Sequence, residues 1–519
     1  MDIAQNTTLP VSKGDSTRTA RLISRVLAPL DRLFQRCYDS PYNPLYLSGA
    51  LTLFFLLLVL VTGAYLLIFY RAGSPYESMA AIQEQVWGGR WIRALHRYAS
   101  DAAVVTAVLH MLRMFAQGRS WGPRALGWIT GVGMLALLWG VGWTGYVLVW
   151  DQHGLILANR GARMLDALPL FSEPISRMFA TGQVVYHFFF FNLFLHMAIP
   201  LVMGALLWMH VMRLARSVLF PSRGLMWGSG LLLTGLSVVW PAPLEGPADA
   251  LSSGGRVAVD GFYTFWLGWN LSGGALWLFW LALLGGLTAV PWLFRPGLLA
   301  RPRPAVVDEA HCEGCTQCYQ DCPYEAIQMV AVEGREKPVA RVDPAVCVGC
   351  GICSGSCKPM VIGPPERRGG HQIRQARALT QAHPQTVVCL ACDKTLGRNP
   401  TLPVGVTLWT ISCGGEIHAD TVDALLRHGA AGVMVVSCPP ENCQSREGAR
   451  WLAARWAGER DMPLRARVDR RRTAWVTLEP GDTKTLARLA AQFLDRLNEP
   501  GLLPVREESG ITPTGETLT

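Results

Sequence analysis

Six stretches, near residues 46–70, 96–117, 126–150, 184–214, 224–240 and 272–294, are strongly apolar. Each is roughly long enough to cross a hydrocarbon layer of about 30 Å, the fifth being the shortest. In lipid a backbone must satisfy its own hydrogen bonds, so such runs have to be helices. The first 295 residues are therefore expected to form a membrane bundle of about six transmembrane helices. Half of the 519 residues are hydrophobic and only 16% are charged, against about a quarter charged in a typical soluble chain. That composition excludes a disordered chain, a fibrous chain and an ordinary cytosolic enzyme. Ahead of the first run, residues 1–45 are polar and carry Lys13, Arg18, Arg21, Arg25, Arg32 and Arg36. Residues 18–37 read as an amphipathic helix lying on the membrane surface, with Cys37 as a structural residue. No short apolar run with a small-residue cleavage site opens the chain, so no cleaved leader is expected.

The connections between the runs differ in charge. The N-terminal segment and the loops 113–124, 213–223 and 295–303 hold fifteen Lys and Arg, whereas the loops 71–95, 151–183 and 241–271 hold seven. By the positive-inside rule the first group is cytoplasmic, and six crossings return the C-terminus to the same side. The net charge of +9 thus bears on orientation, and no nucleic-acid motif accompanies it.

Four histidines lie inside the runs: His96 and His110 in the second, His196 and His210 in the fourth. Each pair is fourteen residues apart, almost four whole helical turns and about 21 Å of rise. Each pair then occupies one helix face at two depths. Facing helices would bring His96 level with His196 and His110 level with His210, giving two stacked bis-imidazole sites. Polar residues in lipid are costly and usually functional. Two axial imidazoles leave a haem iron no open position, which suits electron transfer. Glycines repeat the spacing at Gly49/Gly63 and Gly131/Gly145, where a flat macrocycle would need positions without side chains.

With Arg93-Ala-Leu-His96, His110-Met-Leu-Arg113, Gly145-Tyr-Val-Leu-Val-Trp-Asp-Gln152 and His196-Met-Ala-Ile-Pro200, residues 40–295 resemble the cytochrome b family of bc and b6f complexes. The resemblance implies two haem b groups, one near the outer face held by His96 and His196 and one near the cytoplasm held by His110 and His210. It also implies Arg93 and Arg113 near haem propionates, a quinone as substrate, a bacterial cytoplasmic membrane location with cytoplasmic termini, and pairing of two copies through this region. In that family a Pro-Glu-Trp-Tyr motif lines the outer quinol-oxidation site. Here the corresponding residues read Asp260-Gly-Phe-Tyr263, so the carboxylate that takes a quinol proton is missing from its slot. His187 and Asp260 are candidate proton carriers, with interfacial polarity as the plainer reading of both.

Thirteen of the fourteen cysteines follow residue 311. Eight form Cys312-x2-Cys315-x2-Cys318-x3-Cys322-Pro and Cys347-x2-Cys350-x2-Cys353-x3-Cys357-Lys-Pro, the bacterial two-cluster ferredoxin pattern. The first three thiolates of each run wrap one cubane and the fourth reaches across to the other. One [4Fe–4S] cluster would take Cys312, Cys315, Cys318 and Cys357, the second Cys347, Cys350, Cys353 and Cys322. Residues 301–362 are thus expected to be a cytoplasmic α+β ferredoxin-like dicluster domain.

Residues 363–385 are rich in Pro, Gly, Arg and Gln and read as a linker, long enough to let the C-terminal segment reach a soluble partner. From 386 to 498 apolar strand patterns and helical patterns alternate: strands at 386–389, 404–411, 432–437 and 474–478, helices at 419–427, 445–457 and 484–497. This predicts a small α/β domain with a parallel sheet. Cys389, Cys392, Cys413, Cys438 and Cys443 fall at the ends of its first three strands, so all five are expected at the carboxyl edge where parallel sheets bind ligands. A reducing compartment disfavours disulfides there, leaving a [2Fe–2S] cluster or zinc. With Ser412-Cys-Gly-Gly415 and Cys438-Pro-Pro-Glu-Asn-Cys443, this segment resembles the delta iron–sulfur subunit of methyl-viologen-reducing hydrogenases. That implies one [2Fe–2S] cluster, four of the five cysteines as ligands, and a cytoplasmic flavoprotein or heterodisulfide-reductase-like subunit as partner. Residues 499–519 read as a disordered tail.

No nucleotide-binding glycine loop and no Ser/His/Asp nucleophile is present. Together the modules predict a membrane-bound electron-transfer subunit between the quinone pool and a cytoplasmic redox protein. The alternatives are a membrane anchor and relay without its own quinone site, and a bc-like quinol oxidase subunit.

Overall fold

The computed structural model describes residues 18–38, 42–169, 173–180, 184, 186–212, 218–249, 260–269, 271–294, 303–396, 400–479 and 481–499. Two compact units make up the chain, one over Asp15–Ala300 and one containing Arg301–Thr519. The expected tail, the N-terminal segment before residue 18 and much of the connections at 213–217, 250–259 and 295–302 lie outside the described residues.

The first unit is helical. Helix α1 (Arg18–Cys37) precedes α2 (Ser48–Phe69), α3 (Pro75–Glu84), α4 (Gly89–Ala116), α5 (Ala125–Val149), α6 (Gln152–Asp166), α7 (Arg177–Ala180), α8 (Tyr186–Met212), α9 (Arg223–Val239) and α10 (Gly273–Leu293). Among the described residues, α2, α4, α5, α8 and α10 are long and apolar enough to cross a membrane, so this is a multi-pass membrane protein. The run at 224–240 does form a helix, α9, but of 17 residues, about 26 Å at 1.5 Å per residue. It starts after Pro221-Ser222 and stops before Pro241, which has no amide hydrogen to continue it. Helix α2 packs along α4, and α5 along α8.

Helices α3, α6 and α7 stand where loops were expected. Trp150 takes a left-handed conformation (φ 56°) and turns the chain out of α5. Asp151 then caps α6 by accepting from the Gly154 amide at 2.9 Å. The buried Leu157, Ala158, Ala162 and Met164 of α6 pack with Trp266 and Leu276, a face masked in the sequence by the arginines around it. Helix α1 spans the 18–37 segment expected to be amphipathic and packs on α4, where Asp31 pairs with Arg113 at 2.5 Å. Cys37, at its end, is exposed.

The second unit holds two modules. In the first, β1 (Val306–Val307) pairs antiparallel with β4 (Ile362–Gly363), and β2 (Ile327–Val330) with β3 (Val339–Val342). Two short helices, α11 (Gln317–Asp321) and α12 (Ile352–Ser356), follow its cysteine loops. In the second, β5 (Val387–Cys392), β6 (Val406–Ile411), β7 (Gly432–Ser437) and β8 (Thr473–Thr477) form one parallel sheet in the order β6-β5-β7-β8. Central strands β5 and β7 are buried throughout, as expected for strands covered on both faces. One face carries α13 (Gly369–Ala382), α14 (Ala419–Arg427) and α15 (Gly448–Ala457), through Ala376, Leu379, Val422, Leu425 and Leu452. The other carries α16 (Thr483–Leu497), through Leu486, Ala490, Phe493 and Leu497.

Helix α13 corrects the linker expected at 363–385. Its Ile373, Ala376 and Leu379 recur every three residues and pack into the sheet's core, while its many arginines and glutamines disguise it. The α/β domain therefore does not hang on a flexible tether.

Candidate redox centres

Each of the four membrane histidines sits against a glycine of the facing helix. A Cβ on Gly49 would lie 2.8 Å from His110 Cε1, one on Gly63 3.1 Å from His96 Cε1, one on Gly145 3.1 Å from His196 Cε1, and one on Gly131 3.6 Å from His210 Cε1. The glycines thus make room for imidazoles on the neighbouring helix. A hydroxyl residue precedes every one of them: Ser48, Thr62, Thr130 and Thr144. Three of these lie 3.0 Å from a histidine Nδ1: Thr62 to His96, Thr130 to His210 and Thr144 to His196. The hydroxyls donate back to helix carbonyls, as Thr62 does to Leu58 at 2.7 Å. They therefore accept from Nδ1–H. His196 Nδ1 also lies 3.0 Å from the Val141 carbonyl, which can only accept. The hydrogen is on Nδ1, and Nε2 keeps the lone pair a metal requires. The hydroxyls repeat the fourteen-residue spacing and could have been read with the glycines.

The rings of His96 and His196 are 6.4 Å apart, centroid to centroid, and His110 and His210 are neighbours at the other level. Two imidazole pairs, three of whose four rings have their tautomer fixed, fit axial ligands. Arg93 bonds Gln83 Oε1 at 2.9 Å and the Pro243 carbonyl at 2.9 Å. Arg113, besides Asp31, stacks on Tyr46 at 5.0 Å.

Asp260 is tied on every side. Its Oδ1 accepts from the amides of Phe262 at 2.8 Å and Tyr263 at 2.5 Å. Its Oδ2 accepts from Arg97 at 3.0 Å and from the Tyr146 hydroxyl. Burial alone would raise its pKa, but the Tyr146 and backbone hydrogen bonds and the Arg97 charge leave it below the usual aspartate value. It is a loop cap and an anchor for Arg97 and Tyr146. Tyr263 is fully buried, with its hydroxyl 2.6 Å from Ser100 Oγ.

The eight ferredoxin-type cysteines fall into two neighbourhoods. Cys318 has Cys357, Cys315 and Cys312 around it, and burial, with those neighbours, pushes its thiol up to about 12. Cys312, Cys315, Cys318 and Cys357 line one cavity together with Val307, Met329 and Ile362. Cys353 has Cys350, Cys347 and Cys322 close by, along with Cys318, and is likewise raised, chiefly by burial. Thiols raised in this way hold their protons, and iron binding would displace those protons and compensate the thiolates. Gly314 and Gly351, with φ 67° and 84°, let the two loops fold back around these pockets.

The five remaining cysteines do not all converge, which corrects the expectation from the sequence. Cys392, Cys413, Cys438 and Cys443 cluster with Ile352 and Ala449. Cys443 accepts hydrogen bonds from Cys413 and Cys438, which hold its thiol well below its ordinary value. Cys438 also bonds Cys392. Cys389 instead packs with Val387, Ala391, Met434, Leu486 and Phe493 on the opposite face of the sheet, where burial lifts its thiol to about 12. Cys389 and Cys392 are three apart in one strand, and strand side chains alternate, so the two thiols cannot share a face. The four convergent cysteines lie at the carboxyl edge of β5, β6 and β7, where β6 flanks β5 on one side and β7 on the other.

This cysteine site abuts the dicluster module. Cys350 touches the same cluster of buried residues as Cys413. Around the joint, Arg367 pairs with Glu416 and donates to the Gly349 carbonyl, each at 2.6 Å. Gln372 of α13 donates to the Glu416 carbonyl at 2.8 Å and accepts from the His418 amide at 3.0 Å. His418 Nε2 donates to the Cys357 carbonyl at 3.1 Å and its Nδ1 accepts from the Asp420 amide at 3.2 Å. Burial keeps His418 neutral, lowering its pKa to about 4. Arg446 reaches the Pro323 carbonyl at 3.0 Å, and Arg460 pairs with Asp321 at 2.6 Å.

Comparison with known proteins gives the same three-part division. The family described as Cytochrome b/b6/petB matches residues 35–218, the 4Fe-4S dicluster domain residues 311–360, and the methyl-viologen-reducing hydrogenase delta subunit residues 387–501. The chain is 32% identical over 137 residues to the menaquinol:cytochrome c reductase cytochrome b subunit of Geobacillus thermodenitrificans, 26% of this chain and 61% of that protein. It is 33% identical over 143 residues to cytochrome b6 of Heliobacterium mobile, 27% and 67% respectively, and 32% identical over 151 residues to cytochrome b6 of Synechococcus elongatus, 28% and 70%. The chain thus spans about three-fifths of the length of the menaquinol:cytochrome c reductase subunit it matches.

Proposed function

The chain belongs to the cytochrome b/b6 family through residues 35–218, and on that footing we propose that it is a membrane electron-transfer subunit joining the quinone pool to a cytoplasmic redox protein. The observation that carries this reading is the fourfold pairing of glycine and histidine, with a hydroxyl on Nδ1 at three of the four. It offers two pairs of imidazoles at two levels of one bundle, with Nε2 free at His96, His196 and His210. His96 and His196 would hold one haem b, His110 and His210 the other. Haem and iron–sulfur clusters supply one-electron carriers with no bond made or broken.

The charge count in the loops supports cytoplasmic termini in a bacterial inner membrane, with the His110/His210 level nearer the cytoplasm. Cys312, Cys315, Cys318 and Cys357 would hold one [4Fe–4S] cluster, and Cys347, Cys350, Cys353 and Cys322 the other. Cys392, Cys413, Cys438 and Cys443 would hold a [2Fe–2S] cluster, with Cys389 left as a core residue. The contact of Cys350 with the Cys413 neighbourhood favours passage between the third site and the Cys347/Cys350/Cys353/Cys322 site. The similarity of residues 387–501 to a hydrogenase delta subunit supports a flavoprotein or heterodisulfide-reductase-like partner. Pairing of two copies through the cytochrome b region belongs to the same reading. Asp260, with its acceptor positions occupied, argues against a bc-type quinol oxidation that uses it as base.

The test is analysis of the purified full-length protein for haem, iron and sulfide, and then reduction with a quinol. Two low-spin b haems and, besides the haem iron, about ten cluster irons per chain are expected, with quinol reducing at least one haem. If quinol reduces neither haem in the intact protein, the chain is a relay without a quinone site.

A further inference from the structure

Arg455, on α15, is 4% exposed at the joint between the dicluster module and the α/β module. Its Nη2 donates to the Gly415 carbonyl at 2.6 Å and its Nη1 to Ser356 Oγ at 3.3 Å. Both acceptors are neutral, and Nε is buried without any hydrogen-bond partner. The nearest carboxylate, Asp321, is engaged elsewhere: Arg460 holds it at 2.6 Å and the Ser356 hydroxyl donates to it at 2.6 Å. A guanidinium taken out of water ordinarily needs a directly bonded anion, and none of the contacts above supplies one. Besides Asp321, the groups near Arg455 that can carry negative charge are thiolate positions. Cys413 stands close enough to act on its charge, Gly415 is two residues beyond Cys413, and Ser356 lies between Cys353 and Cys357.

The packing of the joint is built around this placement. A Cβ on Gly355 would come 2.7 Å from Arg455 Nη1, and one on Gly415 2.7 Å from the Gly448 backbone. A Cβ on Gly448 would run into Cys413 Sγ. Three glycines therefore let two backbones and one guanidinium close up beside the cysteine site.

We propose that Arg455 is a positioning residue for electron transfer: its fixed positive charge, set between the four-cysteine site and the dicluster module, raises the reduction potential of the cluster held by Cys392, Cys413, Cys438 and Cys443. This rests on the reading of those cysteines as a cluster site. A cluster held by four thiolates carries negative charge and gains one more unit on reduction, with no bond broken. A nearby fixed cation stabilises the reduced form more than the oxidised one, since potentials depend on net charge and burial around a cluster. Because the same guanidinium also touches the end of α12, it offsets part of the repulsion between electrons on the two sides of the joint.

The experiment is an EPR-monitored redox titration of the full-length protein with dithionite as reductant. Wild-type non-haem iron content and a [2Fe–2S] signal test the underlying reading first; about eight non-haem irons with stoichiometric zinc would remove that reading, and this inference with it. Given the signal, Arg455→Gln should lower the equilibrium constant for reducing that cluster at least about tenfold, equivalent to about 59 mV for one electron. Arg455→Lys, which keeps the charge, and Ser356→Ala, which keeps the guanidinium, should each stay close to wild type. A purely structural role predicts that Lys behaves as badly as Gln, and that result overturns the proposal. So does a Gln variant with full iron and an unchanged midpoint. If Arg455→Gln does not retain clusters, Arg455→Lys decides: a midpoint close to wild type at full iron supports the inference, and a shifted midpoint at full iron refutes it.

Discussion

The glycine cradle makes a graded prediction from four distances. Placing Ala at Gly49 puts a Cβ 2.8 Å from His110 Cε1; at Gly63 and Gly145 the gap to the facing histidine is 3.1 Å; at Gly131 it is 3.6 Å. Carbon atoms rest at about 3.5–4.0 Å. Gly131→Ala therefore needs no movement, the 3.1 Å sites need a shift of several tenths of an ångström, and Gly49→Ala needs nearly twice that. A metal ligand must hold its place to within about 0.5 Å, so His110 is displaced past tolerance while His210 is not. Overpacking of this kind costs about 1–3 kcal/mol. At about 1.4 kcal/mol per factor of ten, that weakens haem retention at the affected site roughly 5- to 150-fold. Helix propensity acts the other way, since Ala is favoured over Gly by about 1 kcal/mol in a helix. Loss of haem without loss of helix is thus the signature. Haem per chain by pyridine haemochrome and helicity by circular dichroism measure both. The expected order of haem loss is Gly49→Ala first, Gly63→Ala and Gly145→Ala next, Gly131→Ala least. Full haem in Gly49→Ala, or equal loss at Gly131 and Gly49, would refute the reasoning.

The remaining centres carry their own expected outcomes. His110→Ala should remove about half of the haem and leave the rest low-spin; retention of all haem in both His110→Ala and His210→Ala would falsify the pairing. Cys389→Ala should keep the full iron content at a stability cost of about 1 kcal/mol for the lost core contacts, whereas Cys413→Ser should cost about two irons per chain; equal iron loss in the two would return Cys389 to the ligand set. Replacing Cys315 and Cys350 with Ser should stop haem reduction by a cytoplasmic donor while quinol still reduces a haem, and donor-driven reduction at full rate would break the proposed route. Asp260 is held below the usual aspartate range, about 3.9, so it stays ionised at every working pH. The pH profile of quinol-driven haem reduction from about pH 5 to 9 should then be the same in Asp260→Asn as in wild type, with a lower melting temperature; a lost limb in the profile would make Asp260 a proton carrier after all.

How far the sequence carried depends on period. Fourteen residues is nearly a whole number of helical turns, so paired histidines and glycines announce their faces directly, and the fold of the membrane unit follows. The three threonines that fix imidazole tautomers sit one residue before Gly63, Gly131 and Gly145, and were legible once the function of a glycine as a neighbour of histidine was clear. The cysteine edge was legible in place but not in membership: strand ends locate the edge, while alternation along β5 sends Cys389 to the other face. The joint was not legible, because α13 shows few apolar residues among its arginines and glutamines, and its partners Glu416 and His418 come from a loop far along the chain.

That joint changes the functional argument more than any other difference. A flexible tether would let the third cysteine site travel to a partner and back. Instead, Arg367, Gln372 and His418 fasten the α/β module to the dicluster loops, and Cys350 shares a buried neighbourhood with Cys413. Transfer between the two modules then proceeds at one fixed geometry, set by packing and not by diffusion of a domain. On the proposed reading, a soluble partner would have to come to the α/β module, and its docking would not depend on the length of residues 363–385. Inserting a flexible segment before Gly369 would therefore slow electron transfer by separating the two sites, whereas a tethered-arm design would be helped by it. The rate of haem reduction by the cytoplasmic donor, measured with such an insertion at constant iron and haem content, decides between a joint and a tether.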